Sequence, residues 1–475
     1  MSPNHVKKSA LSPIAERVLN VERIASEESE GAIVIARREE LIVHADARKE
    51  SSSFEKELSK VAKRVGNLAE IKRPATEVVT QPGSSAGGGT AEPDDYKPDP
   101  QGPLSKVEIW RLKDTKANHS IDVSRKLRKH LGNKLFALPG DKKPLHTGVH
   151  PHHVAILSPQ PGGCPATPPK PARADKAFVE PPTDGPTVKV TILDSGYIWI
   201  DPPHRELDRR VTVVRGQWLN AEKKRWEPDE PDGLYTDPSG KLDGITGHGT
   251  FIAGLISHIA PCTRLEVVGL RNQEVEIGAL DRKEQLGLFE TEVAIAHAML
   301  RRCDTDVIQC GFAFPTLDDY PSLPFAAVMA ELRSGRAPRK GVAVVAPAGN
   351  EDSSRPYWPA ALPDVIGVAA TDPDGAESAW FSNWGSWCDC CTGGVDVYST
   401  FVRWPLNGSP RFRGWATWNG TSFAAPKVSA EIARKFAEKR RYGTTPAAVA
   451  DKLIAGTKAR STDETGWPLP YLRIG

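Results

Sequence analysis

VKVTILDSG at residues 188–196 and GVAVVAPAGN at residues 341–350 set the architecture of this chain. Each is a short run rich in β-branched and aliphatic residues, the pattern of a strand buried on both faces. Working outward, LEVVGL (265–270), DVIQCGF (306–312) and DVIGVAAT (364–371) repeat it. Helical patterns separate them, one starting near His248, one across TEVAIAHAMLRRC (291–303) and one across FAAVMAELRSG (325–335). Strands alternating with helices predict an α/β fold with a mainly parallel sheet flanked by helices over residues 187–475. In such sheets functional residues gather where strands end.

The part before residue 187 has a different texture. Residues 1–30 are polar, with weak helical periodicity. Residues 31–158 predict a small α+β region, interrupted at 76–104 by a Gly-, Pro-, Ser- and Asp-rich linker. Within it GAIVIARREELIVHADA (31–47) predicts two short strands around a charged turn, and SFEKELSKVAKRVGNL (53–68) predicts a helix. KVEIWRL and HHVAIL predict strands on either side of a helix over SIDVSRKLRKHLG (120–132). A second Pro-rich linker, 159–186, leads into the α/β part.

Composition narrows the function classes. With 475 residues, 39% hydrophobic and 26% charged, the chain is an ordinary globular protein of two or three domains. A net charge of +2 gives no global pull toward nucleic acid or membrane. The basic run RKLRKHLGNK (125–134) is expected to be a solvated helix face. No apolar run is long enough for a membrane helix, and the first residues lack the apolar core of a secretory signal, so the expected location is the cytoplasm. Of seven cysteines, Cys388, Cys390 and Cys391 cluster; reduced thiols at a strand start are the expectation. HTGVHPHH brings His146, His150, His152 and His153 close in sequence, but without a fixed acidic partner at ligand spacing it is read as a polar loop entering a strand. No metal and no cofactor are expected.

Three segments carry chemistry. Asp194 ends the strand VKVTILD and is followed by a Ser-Gly turn. His248 lies between two glycines at a helix start, in GHGTFIAGLISHIA. Ser422 opens the helix of NGTSFAAPKVSAEIARKFAEK after a tight turn, which leaves its backbone amide unpaired. A serine hydroxyl becomes a nucleophile when an imidazole removes its proton, and a carboxylate fixes the tautomer of that imidazole. Asn350, ending GVAVVAPAGN, can offer its amide to an oxyanion beside the Ser422 amide.

The order Asp, His, Asn, Ser within D-S-G, G-H-G-T, A-G-N and G-T-S-x-A-A-P resembles the subtilisin family of serine peptidases over about residues 187–470. HREL (204–207), FSNWG (381–385) and VDVYST (395–400) match further family regions, with Arg205 in place of a proline and Thr400 where proline or glycine is common. The resemblance implies a serine endopeptidase acting on protein or peptide substrates, with no nucleic-acid or membrane partner. It further implies a substrate-pairing strand around Gly311, Phe312 and Ala313, and a specificity wall at Pro347, Ala348 and Gly349. Gly311 and Ala313 depart from the family's serine and glycine, and RNQEVEIGALDRKEQLG (271–287) lacks the usual glycines, so specificity is not legible here. Residues 31–158 are expected to be an intramolecular inhibitory prodomain or a regulatory module. Two other classes fit the same motifs, an inactive binding scaffold and a peptide cyclase or transpeptidase. The aromatic group Trp380, Trp384, Trp387, Trp404, Trp415 and Trp418 is expected to pack beside the cleft.

Overall fold

The computed structural model describes residues 24–474 apart from several segments, the longest being 80–89, 158–165, 174–186, 229–241 and 271–287. In chain order the first elements are β1 (Ile24–Ser29), β2 (Ala32–His44), α1 (Ala45–Glu50), α2 (Ser52–Val61), β3 (Ala62–Asn67), β4 (Thr76–Val79), β5 (Thr90–Ala91), β6 (Val107–Leu112), α3 (Ser120–Arg128) and β7 (Val149–Leu157). There follow β8 (Lys170–Pro171), β9 (Val188–Asp194), β10 (Val211–Arg215), α4 (His248–Ile259), β11 (Thr263–Gly269), β12 (Leu288–Thr291), α5 (Glu292–Leu300), β13 (Val307–Cys310) and α6 (Leu323–Arg333). The last are β14 (Ala343–Pro347), β15 (Val365–Thr371), β16 (Cys390–Gly393), β17 (Val397–Trp404), β18 (Phe412–Trp418) and α7 (Thr421–Lys439).

The α/β part is organised by a nine-stranded sheet in the order β16-β15-β14-β13-β9-β11-β10-β4-β5. Its strands run parallel from β16 to β10, as the unbroken apolar runs predict, and helices cover its faces. The chain builds outward from β9 in both directions, so the strand order reverses between β9 and β13. Crevices at such a reversal are where ligands bind in α/β sheets.

A second sheet of six strands has the order β12-β7-β2-β6-β3, with β1 on β2. Its two faces follow the alternation of the strands. Leu41, Val43, Trp110 and Leu112 pack with Phe54 and Leu58 of α2 and with Val123 and Leu127 of α3. Ile42 and Ile109 point the other way, into one core with Val293 and Ala294 of α5 and Phe325 and Ala327 of α6. The N-terminal sheet is thus roofed by its own helices and floored by two helices of the α/β part.

Each sheet also contains a strand lent by the other unit. β12 pairs antiparallel with β7, Leu288 opposite Leu157 and Thr291 opposite Val154. In return β4 pairs antiparallel with β10, Val79 opposite Val213. Both β4 and β5 fall inside the stretch expected to be linker, where a composition rich in turn-formers outweighed a four-residue strand pattern.

Other expectations need correction. The predicted pair of short strands is one strand, β2, of 13 residues with a register shift between Ala36 and Leu41. The charged middle stays extended because its carboxylates find partners within the sheet: Glu39 accepts from Arg111 at 2.7 Å and Glu40 from His152 at 2.6 Å. The helix predicted over 53–68 ends at Val61, since pairing of Ala62–Asn67 with β6 overrides a weak propensity around Val65 and Gly66. HTGVHPHH is not a polar loop. It forms the short strand His146–Thr147 and the start of β7, and all four histidines are buried. The basic run is not wholly solvated either, because Arg128 pairs with Asp318 of the α/β part at 2.6 Å. The segment 271–287 and most of 1–30 lie outside the described residues. Among the described residues no helix is long and apolar enough to cross a membrane.

Candidate active site

Asp194 is the last residue of β9 and is fully buried. One of its oxygens, Oδ1, accepts the Ser195 N–H at 2.7 Å. His248 is the first residue of α4, after Gly247, whose φ of 77° only glycine adopts readily. Its Nδ1 lies 2.9 Å from both carboxylate oxygens of Asp194. A carboxylate accepts only, so Nδ1 donates its hydrogen to Asp194. The other ring nitrogen, Nε2, has no hydrogen-bond partner among the described residues. The imidazole is clamped by Trp418, edge-on at 5.6 Å between centroids, and by Phe423 at 5.2 Å.

Two glycines make room for this pair. A Cβ on Gly249 would fall 2.1 Å from the Gly196 carbonyl oxygen, and one on Gly311 would fall 1.6 Å from Asp194 Oδ2. Gly311 follows β13, the neighbour of β9, so the strand reversal brings it directly onto the acid. Its carbonyl oxygen accepts the Ser422 hydroxyl at 3.3 Å. Ser422 lies in the first turn of α7 and is fully buried.

Asn350 follows β14. Its Oδ1 accepts the Thr421 N–H at 2.9 Å and faces the Thr421 hydroxyl at 3.0 Å. Because the Thr421 amide can only donate, the orientation of the side chain is fixed, with Oδ1 toward Thr421 and the NH₂ on the other side. Thr421 also accepts the Gly349 N–H at 3.1 Å, which ties the start of α7 to the end of β14. The structure therefore gathers Asp194, His248, Gly311, Ser422 and, through Thr421, Asn350 into one cluster. Ala348 is buried, and Gly349 has a φ of 104°. Phe312 and Ala313 are buried too, and Phe314 beyond them bridges antiparallel to Trp358.

Several contributors carried no recognisable role in the sequence. Asn383, within FSNWG, accepts the N–H groups of Glu351 and Ser353 at 2.9 and 3.1 Å and donates to the Ala348 carbonyl at 3.0 Å. It thereby moulds the loop after Asn350. Residues 166–173, from the Pro-rich stretch, run alongside the crevice. Ala166 N–H donates to the Asn419 carbonyl at 3.1 Å, Trp418 Nε1 donates to the Thr167 carbonyl, and β8 pairs antiparallel with β18. Backbone pairing at a sheet edge has no sequence signature of its own. Trp418 is the tryptophan that meets His248, whereas Trp380 is 66% exposed. Cys390 and Cys391 open β16, and burial pushes the Cys390 thiol well up, which disfavours a thiolate there.

A model of the subtilase family matches residues 185–467. A thermophilic serine proteinase of Bacillus sp. (strain AK1) is 29% identical over 241 residues, which cover 51% of this chain and 50% of that protein. Subtilisin BL of Lederbergia lenta is 28% identical over 256 residues, 52% of this chain and 76% of that protein. The chain thus spans about half the length of the first of these relatives. Among solved structures, fervidolysin from Fervidobacterium pennivorans, described as a keratinolytic enzyme related to subtilisin, aligns with a TM-score of 0.52. That alignment is 16% identical and covers 94% of this chain and 61% of the other, a likeness of fold.

Proposed function

The chain belongs to the subtilase family, and from that premise we propose that it is a serine endopeptidase that hydrolyses peptide bonds through an acyl-enzyme. The observation that carries this reading is His248, held on its Nδ1 side by Asp194 and with no hydrogen-bond partner at Nε2 among the described residues, in one buried cluster with Gly311 and Ser422. Ser422 Oγ now donates to the Gly311 carbonyl. Rotation about χ1 would turn it toward Nε2, where His248 takes its proton as Oγ attacks the scissile carbonyl. Asp194 then stabilises the imidazolium. The Asn350 NH₂ and the Ser422 N–H, at the positive end of α7, hold the oxyanion. His248 returns the proton to the leaving amine, and water repeats the cycle on the ester. The backbone of Gly311, Phe312 and Ala313 pairs with substrate, and Pro347, Ala348 and Gly349 wall the pocket for the residue before the cut.

The same reading assigns residues 31–158, with the stretch 159–186 that follows them, an inhibitory role within the chain. Its support is the path of residues 166–173 along β18, ending at Asn419, three residues before Ser422. The acid, the base and the serine are all without solvent exposure.

Intact mass of the purified chain after treatment with a fluorophosphonate tests the assignment. Label on wild type, and none on Ser422→Ala, is the expected result. Label on neither, both before and after partial digestion of the N-terminal unit, would overturn it.

A further inference from the structure

β7 presents His150, His152 and His153 to the start of α5, and all three are buried. Glu292, the first residue of α5, is fully buried with them. Its carboxylate accepts the His153 N–H at 2.9 Å, the Ser322 hydroxyl at 2.6 Å and His153 Nδ1–H at 3.2 Å, with His150 Nδ1 3.5 Å away. On the other edge of the ring, His153 Nε2 accepts the Leu317 N–H at 3.1 Å. His152 repeats the arrangement: its Nε2 accepts the Val293 N–H at 3.4 Å, and its Nδ1 donates to Glu40 at 2.6 Å. A ring nitrogen that accepts an amide hydrogen has no proton of its own, so both imidazoles are neutral. His150 donates from Nδ1 to the Pro151 carbonyl at 2.8 Å, and its Nε2 has no partner among the described residues. Donor atoms of His150, His153 and Glu292 lie within 4.8 Å of one another. The hydrogens oppose a metal there, because His153 Nδ1 is protonated and its one lone pair is engaged by Leu317.

We propose that this histidine face is a proton-operated latch that holds the N-terminal unit on α5 and lets go on acidification. A proton added at Nε2 of His152 or His153 converts the acceptor into a donor aimed at a backbone N–H of the α/β part. Protonation of His152 removes the bond from Val293, and protonation of His153 removes the bond from Leu317. The charged and titratable groups facing the three rings are Glu292 from α5 and Glu40 from β2, with Arg37 and Arg111 behind Glu40. Burial alone would raise the Glu292 carboxyl, but the hydrogen bond it accepts from His153 favours its charged form. Burial lowers His150 from 6.5 to about 4. A histidine depressed on docking contributes its full share above the free value and loses it as pH falls from 6.5 toward 4. By pH 5 that one group weakens docking about 30-fold.

The test uses the full chain with Ser422→Ala, so it reads docking and not cleavage, and its outcome is separate from that of the peptidase assignment. Amide hydrogen exchange, corrected for intrinsic rate, is followed at pH 7.5 and pH 5. Protection over 149–157 and 292–300 is expected to fall tenfold or more while 188–194 and 263–269 keep theirs. His150→Gln with His152→Gln and His153→Gln supplies acceptors and donors that do not titrate, and should flatten the response. C2-hydrogen exchange of His150 in the unmutated latch gives a second measure, with a midpoint expected below 6.5. Unchanged protection between the two pH values, an equal loss in the glutamine variant, or a His150 midpoint at or above 6.5 would each overturn the latch.

Discussion

Gly311 and Asp194 are packed so closely that a Cβ on the glycine would lie 1.6 Å from the acid's Oδ2. The acid also has a buried imidazole 2.9 Å away, so it cannot shift without breaking that contact. Chain geometry after β13 is therefore set by the acid, and side-chain identity at 311 is restricted on that account.

Gly311→Ala should displace the Asp194 carboxylate and lose its grip on His248 Nδ1. Peptide hydrolysis is expected to fall by about two orders of magnitude or more, as when an orienting acid is lost. Overpacking should lower stability by about 1–3 kcal/mol. Initial rates and guanidinium unfolding on one preparation separate the two effects.

Asn350→Ala removes the proposed oxyanion donor and leaves Thr421 N–H without its acceptor. The turnover number is expected to drop about 100- to 1000-fold. KM should move little, because the ground-state carbonyl needs that donor less than the tetrahedral intermediate does. A comparable change in KM alone would assign Asn350 to ground-state binding.

Ala166→Pro deletes the N–H that donates to Asn419. If residues 166–173 shield the crevice, the rate of fluorophosphonate labelling at Ser422 should rise several-fold while unfolding midpoints stay within experimental error. An unchanged labelling rate would place the barrier elsewhere.

Acid should destabilise the fold at sites remote from the latch as well. His204 is fully buried, donates from Nε2 to the Gly414 carbonyl at 2.6 Å, and is lowered by burial to about 4. His44 in β2 is likewise lowered by burial to about 4. Both stay neutral when folded, so their contribution is complete above pH 6.5 and is lost as pH falls toward 4. Each is worth about 3 kcal/mol across that window. The guanidinium midpoint should fall from pH 7.5 to pH 5, and His204→Asn should make the fall shallower.

The central strands were legible because a strand buried on both faces must be apolar throughout, and few other elements of that length are. Asp194, His248, Ser422 and Asn350 were legible because glycines and a strand end mark their surroundings. What escaped the sequence was pairing at a distance. Thr76–Val79 is an unremarkable tetrapeptide until β10 offers its free edge. His150 and His153 seemed to lack an acidic partner because Glu292 lies 139 residues beyond His153 in the chain. Gly311 stood out in the sequence only as a departure from the family's serine, yet its missing side chain is what seats Asp194.

The exchange of β4 and β12 between the two sheets bears on what a single cut would achieve. Severing the chain within 158–165 would produce two polypeptides but one particle, since each fragment would still be threaded into the other's hydrogen-bond ladder. At neutral pH the nicked species would migrate as a unit on gel filtration. Departure of the N-terminal piece would then be timed by strand withdrawal rather than by bond breakage.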